Sequence, residues 1–373
     1  MKILFVATVQ SHICQFYLPI MDMLQKNGYE VHVAARNNLA EKNGLSMKYA
    51  DKVFDIPFER SPFNTKNIGA YKQFKKIIKD EKYDIVHCHT PVGGILARLA
   101  GRKFRKDGLR MIYTAHGFHF YDGAPKKNWI IYYPIEKFMS RYTDDLITIT
   151  EEDYKLAKNR KFKGNIHHVH GVGVNTDKFV KLSEEDRQKL RLDKGYTDEF
   201  IILCTGELNK NKNQATLIKA MKEVVKKHPE AKLLLAGNGP EHDNLVKLIE
   251  ELNLGDNVEL LGYRTDIQDY VNICDLVVSA SHREGLPLNI MEAMICGKPV
   301  IASDNRGHRE LIKNNENGKL IKLDNNKGFE NSINSLIENK KTVNYLCKNA
   351  LEMIKPFRVE NIKEELIKIY IKK

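Results

Sequence analysis

The stretch DLVVSASHREGLPLNIMEAMICGKPVIAS, residues 275–303, contains a complete strand–helix–strand unit. It opens and closes on short apolar runs of strand length. Between them a helix begins at about Pro287, whose missing N–H costs nothing in a first helical turn. A crossover of this kind joins two parallel strands of one sheet. The stretch therefore predicts an α/β fold built on parallel strands.

The same alternation of strand-like and helical segments extends along the whole chain. The strand-like runs are KILFVATV, EVHVAA, KVFDIP, DIVHCH, RMIYTA and DLITIT in the first half, and FIILCTG, AKLLLAG, NVELLG, DLVVSAS and KPVIAS in the second. A charged segment without such a run, residues 176–199, separates the two series. We therefore expect two doubly wound, Rossmann-like domains at 1–180 and 181–355. A terminal amphipathic helix at 356–373 could cross back to the first domain.

Length and charge agree with two domains and suggest an anionic partner. A single hydrophobic core rarely grows past roughly 250–300 residues, and this chain has 373 residues, 42% of them hydrophobic. The net charge is +12, of which +11 lies in residues 1–180. Such an excess suits nucleic acid, an anionic membrane surface or a phosphorylated substrate. Nucleic acid is disfavoured, because the sequence has no zinc-ligand spacing and no ribonucleoprotein motif.

The cysteines and the apolar runs bear on where the protein works. The six cysteines are scattered without a C-x-x-C pair, which favours a reducing cytoplasm. The N-terminal run MKILFVATV has strand length and lacks a small-residue cleavage site, so we interpret it as a buried strand. No run approaches the roughly 18–20 apolar residues that span a bilayer. Any membrane association is therefore expected to be peripheral.

Ligands of open parallel sheets bind beyond the carboxyl ends of the strands, so two facing sheets would hold a substrate in an interdomain cleft. The loop and helix that follow DLVVSAS carry Glu284 and Glu292, and carboxylates suit the hydroxyl groups of ribose and sugars. The first helical N–H groups, those of Leu288, Asn289 and Ile290, offer a phosphate site. In the alternative reading, Glu284 only complements the helix dipole and Glu292 is a solvated surface charge. An NAD-binding or ATP-binding glycine motif is absent from the sequence.

A set of motifs resembles family 4 of the retaining glycosyltransferases, enzymes of the GT-B fold, over nearly the whole chain. The motifs are DIVHCHTPVGGILARLAGR, YTAHGFHFYDGAPKKNWIIYYPIEKFMSRYTDDLITIT, HGVGVNTDKF, TGELNKNKNQATLIKAM, LLLAGNGPE, LLGYRTDI and the Glu, seven residues, Glu signature of 284–292. The middle motifs are similar to the subgroup that builds bacterial capsule and exopolysaccharide repeat units on a lipid carrier. The resemblance implies a transferase acting on a nucleotide sugar.

The resemblance also implies roles for residues of the second half. Glu292 would hold the nucleotide ribose, Glu284 would lie beside the donor sugar, and Lys212 would neutralise the leaving diphosphate. Glu207 stands where many members have an arginine; Lys210 or backbone amides could compensate. Other positions assigned to the donor site are Gly206, Asn209, Gly239, Arg264, Leu288 and Asn289. For Lys212 a solvated loop lysine remains the alternative, and for Arg264 an exposed arginine without a role.

In the first half the resemblance points to two histidines. His116 ends a strand and would contact the donor sugar and the acceptor, whereas an ordinary structural histidine is the alternative. His12, in a loop where many members have glycines, is the candidate for acceptor contact. His119 is left unassigned. We expect no metal ion and no cofactor, because the sequence shows no convincing cluster of Asp and His ligands.

The acceptor expected from the subgroup is a polyprenyl-diphosphate-linked saccharide at an anionic membrane, and the donor a UDP-linked sugar. The run FHFYDGAPKKNWIIYYPIEKF interleaves basic residues with Trp129, Tyr132, Tyr133 and Phe138, which suits a peripheral membrane interface. Solvated helix faces are the alternative for the basic stretches. For the whole chain, the competing functions are transfer to a soluble acceptor, non-catalytic binding of a sugar nucleotide and GT-B epimerase activity.

Overall fold

The structure is a computed structural model that describes residues 1–41, 45–59, 61 and 64–371. The chain divides into two compact units. The first consists of Met1–Gly173 with Val359–Lys373, and the second of Val174–Arg358. The two connections between the units therefore lie at 173/174 and 358/359, close to the predicted domain limits of 180/181 and 355/356.

The first unit is built on a parallel sheet of seven strands, and every pairing in it is parallel. The strands are β1 (Lys2–Val9), β2 (Glu30–Arg36), β3 (Lys52–Asp55), β4 (Ile85–His89), β5 (Arg110–Ala115), β6 (Asp145–Thr148) and β7 (Asn165–His168). Their spatial order is β3-β2-β1-β4-β5-β6-β7. The sequence predicts six of them. It misses β7, because NIHH is short and has only one apolar residue.

Helices cover both faces of this sheet. They are α1 (Gln10–Phe16), α2 (Leu18–Lys26), α3 (Lys66–Glu81), α4 (Pro91–Gly101), α5 (Lys126–Met139) and α6 (Glu151–Asn159). Successive residues of β1 alternate between two apolar cores: Leu4 and Val6 belong to one, and Ile3 and Phe5 to the other. A strand that is buried on both faces is typical of doubly wound parallel sheets.

The second unit repeats this architecture with six parallel strands. They are β8 (Phe200–Thr205), β9 (Ala231–Ala236), β10 (Val258–Gly262), β11 (Leu276–Ser279), β12 (Val300–Ser303) and β13 (Lys319–Ile321), in the order β10-β9-β8-β11-β12-β13. The helices are α7 (Glu184–Asp193), α8 (Gln214–Lys227), α9 (His242–Glu251), α10 (Ile267–Ile273), α11 (Leu288–Ile295), α12 (Arg306–Leu311), α13 (Asn326–Glu338) and α14 (Lys340–Met353). The sequence predicts every strand except the three-residue β13.

Both sheets have the strand order of a dinucleotide-binding fold, which confirms the predicted α/β class of two Rossmann-like domains. In each sheet the order reverses once: between β1 and β4 in the first unit, and between β8 and β11 in the second. At such a point the connections leave in opposite directions and open a crevice at the carboxyl ends of the strands. These two places are where ligands are expected.

The charged segment at 176–199 folds as part of the second unit. Ser183 caps α7, since its hydroxyl accepts a hydrogen bond from the Asp186 N–H. Arg187 and Arg191 both form ion pairs with Asp275, at 2.5 and 3.1 Å. The charged segment without strand-like runs therefore contains a polar helix, and its ion pairs with Asp275 hold it against the rest of the second unit.

The terminal helix α15 (Val359–Tyr370) belongs to the first unit. Ile362, Leu366 and Ile369 join the core on one side of the first sheet. The Tyr370 hydroxyl lies 2.7 Å from Nδ1 of the buried His87 on β4. Among the described residues, no helix is both long enough and apolar enough to cross a bilayer.

The six cysteines are free thiols, and five of them are buried. Burial raises the pKa of Cys14 and Cys347 to about 11, and that of Cys88, Cys204, Cys274 and Cys296 to about 12. The thiols therefore remain protonated at neutral pH and behave as small apolar packing groups.

Candidate active site

The centre of the candidate site is an ion pair at the reversal point of the second sheet. Lys212 follows β8 and Glu284 follows β11, the two strands that flank this point. The Lys212 Nζ lies 2.7 Å from Glu284 Oε1. The side chains are 23% and 14% exposed, so the pair is mostly shielded but reachable. The structure thus brings together two predicted site residues that lie 72 positions apart in the sequence.

A network of polar groups shapes the loop that carries Lys212. The Asn209 side chain accepts a hydrogen bond from the Lys212 N–H at 2.9 Å and donates one to the exposed Glu207 carboxylate at 3.0 Å. Gln214 donates to the Glu207 carbonyl at 3.1 Å. Asn209 therefore stabilises the turn that precedes Lys212. Lys210, which could compensate for Glu207, is exposed.

Glycines let two loops of the site pack against each other. Gly237 has φ +154°, and a Cβ there would lie 1.9 Å from the Gly206 carbonyl oxygen. A Cβ at Gly239 would lie 2.2 Å from the Leu208 carbonyl oxygen. Both distances are too short for any side chain, so close packing of the loops requires glycine at 237 and 239. Contact between Gly239 and a donor stays a prediction.

Helix α11 begins after Pro287, as the sequence predicts. Of the three N–H groups predicted to bind a phosphate, one already has a hydrogen-bond partner within the helix. The Ile290 N–H donates to the Pro287 carbonyl at 3.2 Å, so the prediction of a free Ile290 N–H was wrong. A tightened first turn commonly satisfies such a group. Leu288 and Asn289 are half-buried, and the Asn289 side chain donates to the Thr205 carbonyl at 3.1 Å. This bond ties α11 to the end of β8.

Glu292 is not the solvated surface charge of the alternative reading. Burial raises the pKa of its carboxyl to about 8, although Lys178 opposes the shift. A carboxyl in this state holds its proton at neutral pH. The residue therefore suits a ligand that offers hydrogen bonds in a poorly hydrated place, such as ribose hydroxyls.

We expect Glu292→Gln to become more stable than the parent as pH rises. Between about pH 4.5 and about pH 8 the folded chain keeps a proton that the unfolded chain has lost, so this group makes stability fall with rising pH. Glutamine removes that loss. Because Glu292 is only half-buried by area, we expect a gain of about 2–4 kcal/mol in total. Urea unfolding followed by circular dichroism from about pH 5 to about pH 9 measures it.

The exposed Glu251→Gln is the matched control for that measurement. Its stability relative to the parent should stay constant across the same pH range, because the Glu251 side chain stays in contact with water when the chain folds. A pH-independent difference for Glu292→Gln as well would contradict the raised pKa.

The sequence missed two residues that lie beside the Lys212–Glu284 pair, Gly307 and His308. A Cβ at Gly307 would lie 2.7 Å from the Glu284 Cβ, so the start of α12 packs directly against the Glu284 loop. His308 is buried, and burial lowers its pKa to about 4. Its Nδ1 lies 2.6 Å from the Ser303 carbonyl. The signal that could have found them is the segment NRGHRE, residues 305–310, which begins two residues after the end of β12.

Arg264 is fixed at the carboxyl end of β10, two strands away from β8. Its guanidinium forms a bidentate pair with Asp266, at 2.9 and 2.8 Å, and lies 5.0 Å from the centre of the Tyr270 ring. Arg264 is therefore held in place, unlike the free exposed arginine of the alternative reading. A role in covering the nucleotide base stays a prediction.

Three histidines meet at the reversal point of the first sheet. His12 follows β1, His89 ends β4 and His116 follows β5. The Nε2 atoms of His12 and His116 are 3.3 Å apart, and the Tyr17 hydroxyl lies 3.1 Å from His116 Nε2. The sequence predicts His12 and His116 as site residues but misses His89 and Tyr17. The signal for His89 was its position at the end of the strand DIVHCH.

These imidazoles are neutral at physiological pH. Burial lowers the pKa of His12 to about 4 and holds the pKa values of His89 and His116 well below the usual range. His89 is fully buried, and neither ring nitrogen has a hydrogen-bond partner within the described part of the chain. Neutral imidazoles can donate and accept hydrogen bonds with sugar hydroxyls.

The same three rings are a group of possible metal ligands. Their ligating atoms all lie within 4.8 Å of one another. The sequence-based argument that the chain lacks a ligand cluster was therefore wrong, because the three residues lie at or after the ends of three different strands that are neighbours in the sheet. Independence from metal stays a prediction, and it rests on the neutralising role of Lys212.

Comparison with known proteins gives matches over both halves. The family model described as "Glycosyl transferases group 1" matches residues 183–353, and the one described as "Glycosyl transferase 4-like" matches residues 2–150. EpsD of Bacillus subtilis (strain 168) is 43% identical over 371 residues, which cover 99% of this chain and 96% of EpsD.

Two further proteins extend the comparison. The Escherichia coli enzyme UDP-Gal:alpha-D-GlcNAc-diphosphoundecaprenol alpha-1,3-galactosyltransferase is 29% identical over 352 residues, and the match covers 90% of each chain. The crystal structure of Anabaena Alr3699/HepE in complex with UDP and glucose superposes with a TM-score of 0.80 at 22% identity, over 99% of both chains. This likeness shows a fold of two Rossmann-like domains, the GT-B class predicted from the sequence.

Proposed function

Because the chain belongs to the group 1 glycosyl transferases and is therefore a glycosyltransferase, we propose that it moves a sugar from a UDP-linked donor to a lipid-diphosphate-linked saccharide. The product would be a repeat unit of a capsule or exopolysaccharide. The observation that carries the donor assignment is the Lys212–Glu284 pair at the reversal point of the second sheet. The acceptor assignment draws on the similar Escherichia coli enzyme, whose name specifies a diphosphoundecaprenol acceptor.

In the proposed donor site each group has a distinct task. The Lys212 ammonium binds the diphosphate as negative charge grows on it, and releases Glu284 to face the donor sugar. Glu292 receives the ribose hydroxyls. Leu288 and Asn289, in the first turn of α11, direct their N–H groups to a phosphate oxygen. A site of this kind stabilises the departing nucleotide more strongly than the intact donor, which is what accelerates transfer.

We propose that transfer retains the anomeric configuration by a front-face route. The bond from the anomeric carbon to the diphosphate oxygen breaks as the bond to the acceptor hydroxyl oxygen forms on the same face. The acceptor proton passes to the departing phosphate oxygen. NMR of the purified product should show the anomeric configuration of the donor, and an inverted product would contradict the route.

The first unit is proposed to bind the acceptor. The neutral cluster of His12, His89, His116 and Tyr17 offers several donors and acceptors in a shielded place, which suits uncharged sugar hydroxyls. The positive excess of residues 1–180 favours an anionic diphosphate and an anionic bilayer. Six free thiols support a reducing compartment, so the protein would work at the cytoplasmic face of the membrane.

The test of the proposed function is a matrix of donors and acceptors. Purified protein is incubated with a panel of UDP- and GDP-linked sugars, each with a polyprenyl-diphosphate-linked sugar and with free sugars. We expect turnover with a UDP-linked hexose or N-acetylhexosamine and the lipid-linked acceptor. Efficient transfer only to a free sugar would instead assign a soluble acceptor. Binding of donor without turnover on any acceptor would indicate a non-catalytic sugar-nucleotide-binding protein.

Transfer is expected to proceed without a divalent metal. Lys212 and the start of α11 already supply positive charge for the diphosphate, a task that Mg²⁺ performs in other transferases. Initial rates in EDTA should therefore equal those in added magnesium. Activity that EDTA abolishes and magnesium restores would overturn this expectation.

A further inference from the structure

Helix α5 carries an unusual exposed apolar face. The side chains of Ile130, Ile131, Ile135 and Phe138, here called the α5 outer face, are exposed, with Ile130 at 74%, Ile131 at 47% and Phe138 at 48%. Ile131, Ile135 and Phe138 are spaced four and three residues apart, which puts them on one side of the helix, and Ile130 lies next to Ile131. Large apolar side chains on a surface are ordinary when single, but a contiguous patch indicates a binding surface.

The opposite side of α5 is fixed in the first unit. Trp129 and Tyr133 pack against the core, so the prediction that these two aromatics face headgroups was wrong. Glu136 is buried, forms an ion pair with Arg98 at 2.9 Å and accepts a hydrogen bond from Tyr113 at 3.2 Å. The helix cannot rotate to bury its outer face without breaking this buried network.

Positive charge is concentrated on and beside helix α5. Residues 126–143 contain Lys126, Lys127, Lys137 and Arg141 and a single acidic residue, the buried Glu136. Desolvation, together with the positive charges of Lys163, Lys161 and Arg141, lowers the pKa of Lys137. The Arg141 guanidinium lies 5.6 Å from the centre of the Phe138 ring. A negatively charged surface would relieve this repulsion.

We propose that the α5 outer face inserts into the headgroup boundary of an anionic lipid bilayer. An apolar helical face bordered by lysine and arginine is the pattern of helices that lie in the membrane interface. A second copy of the chain fits less well, because it would bring its own cations against those near Arg141 and Lys137. The proposal rests on the proposed function, because it gives the enzyme a way to reach a lipid-linked acceptor.

The test compares vesicle binding of the full chain and of the variant Ile131→Asp/Ile135→Asp. Vesicles contain phosphatidylglycerol and phosphatidylcholine in equal parts, or phosphatidylcholine alone, and binding is measured by co-sedimentation. We expect the variant to bind the anionic vesicles at least about tenfold more weakly, because each isoleucine loses its transfer into the apolar boundary. Binding of the parent should weaken with added salt and fall strongly on phosphatidylcholine alone.

Ile68→Asp is the matched control, because Ile68 is 61% exposed on α3 of the same unit. It should bind as the parent does. Equal thermal unfolding of parent, variant and control shows that lost binding is not lost folding. Equal vesicle binding by parent and Ile131→Asp/Ile135→Asp would overturn the proposal. So would a parent that binds phosphatidylcholine equally well, or a parental dimer that the variant abolishes without vesicles.

A second readout separates this proposal from the proposed function. With a short-chain, water-soluble lipid-diphosphate acceptor, Ile131→Asp/Ile135→Asp should turn over as the parent does, and it should lose rate only when the acceptor is embedded in vesicles. Equal rates of parent and variant on the embedded acceptor would overturn the membrane role of α5. A parent that binds vesicles through α5 but transfers to neither acceptor would contradict the proposed function alone.

Discussion

Replacing Lys212 with alanine is expected to lower turnover about 100- to 1,000-fold. The Lys212 Nζ lies 2.7 Å from Glu284 Oε1, at the reversal point of the second sheet. Charge on the proposed diphosphate leaving group increases toward the transition state, so the loss should appear mainly in kcat. Steady-state rates at saturating donor and acceptor measure it.

The control for Lys212→Ala is Lys219→Ala, at an exposed position on α8 of the same unit. Its rates should equal those of the parent. The Lys212→Ala variant leaves Glu284 without its ion-pair partner. Thermal unfolding of both variants checks that this loss does not unfold the loop. Parental kinetics for Lys212→Ala would contradict a role of this residue in the proposed donor site.

Replacing Arg98 with methionine is expected to destabilise the first unit by about 3–5 kcal/mol. The Arg98 side chain is 1% exposed and lies 3.9 Å over the Tyr113 ring as well as 2.9 Å from Glu136. Methionine fills similar space but leaves the Glu136 carboxylate buried without its ion pair. Trp129, the single tryptophan, lies on α5, the helix that carries Glu136, so its fluorescence during urea unfolding reports on this unit.

The double variant Arg98→Met/Glu136→Leu should regain most of that stability, because it removes both buried charges together. Lys103→Met, at an exposed position after α4, is the matched single control and should unfold as the parent does. If Arg98→Met alone unfolds with the parent's urea midpoint and slope, the ion pair contributes nothing to the anchoring of α5.

The sequence predicts the architecture well because parallel strands buried on both faces leave continuous apolar runs. Eleven of the thirteen strands have such a run. Strands β7 and β13 do not, because they have only four and three residues, of which one and two are apolar. Their formation depends on pairing with the neighbouring strand, and a local sequence pattern carries no information about that pairing.

Candidate site residues can be named from the sequence where a motif places them on one segment. Glu284 and Glu292 lie on one loop and helix, and Lys212 lies in a distinctive turn after β8. His89 could not be found this way, because its closeness to His12 and His116 arises from the neighbouring positions of β1, β4 and β5 in the sheet. The same reason hid the pair of Arg98 and Glu136, which are 38 residues apart.

Helix α5 shows a second limit of sequence patterns. Its residues are apolar on nearly every side, so composition indicates an interface but not which side faces it. In the structure, the buried contact of Glu136 with Arg98 fixes the rotation of the helix. That contact turns Trp129 and Tyr133 inward and leaves the isoleucines outside.

The shielded thiols make this protein convenient for site-directed labelling. All six keep pKa values of about 11 or 12, so little thiolate is available to maleimides near neutral pH. A single cysteine introduced at the exposed Lys127 would therefore react selectively while the native cysteines stay in place. A polarity-sensitive dye attached there would change colour as α5 enters a bilayer, and would follow attachment and release in real time.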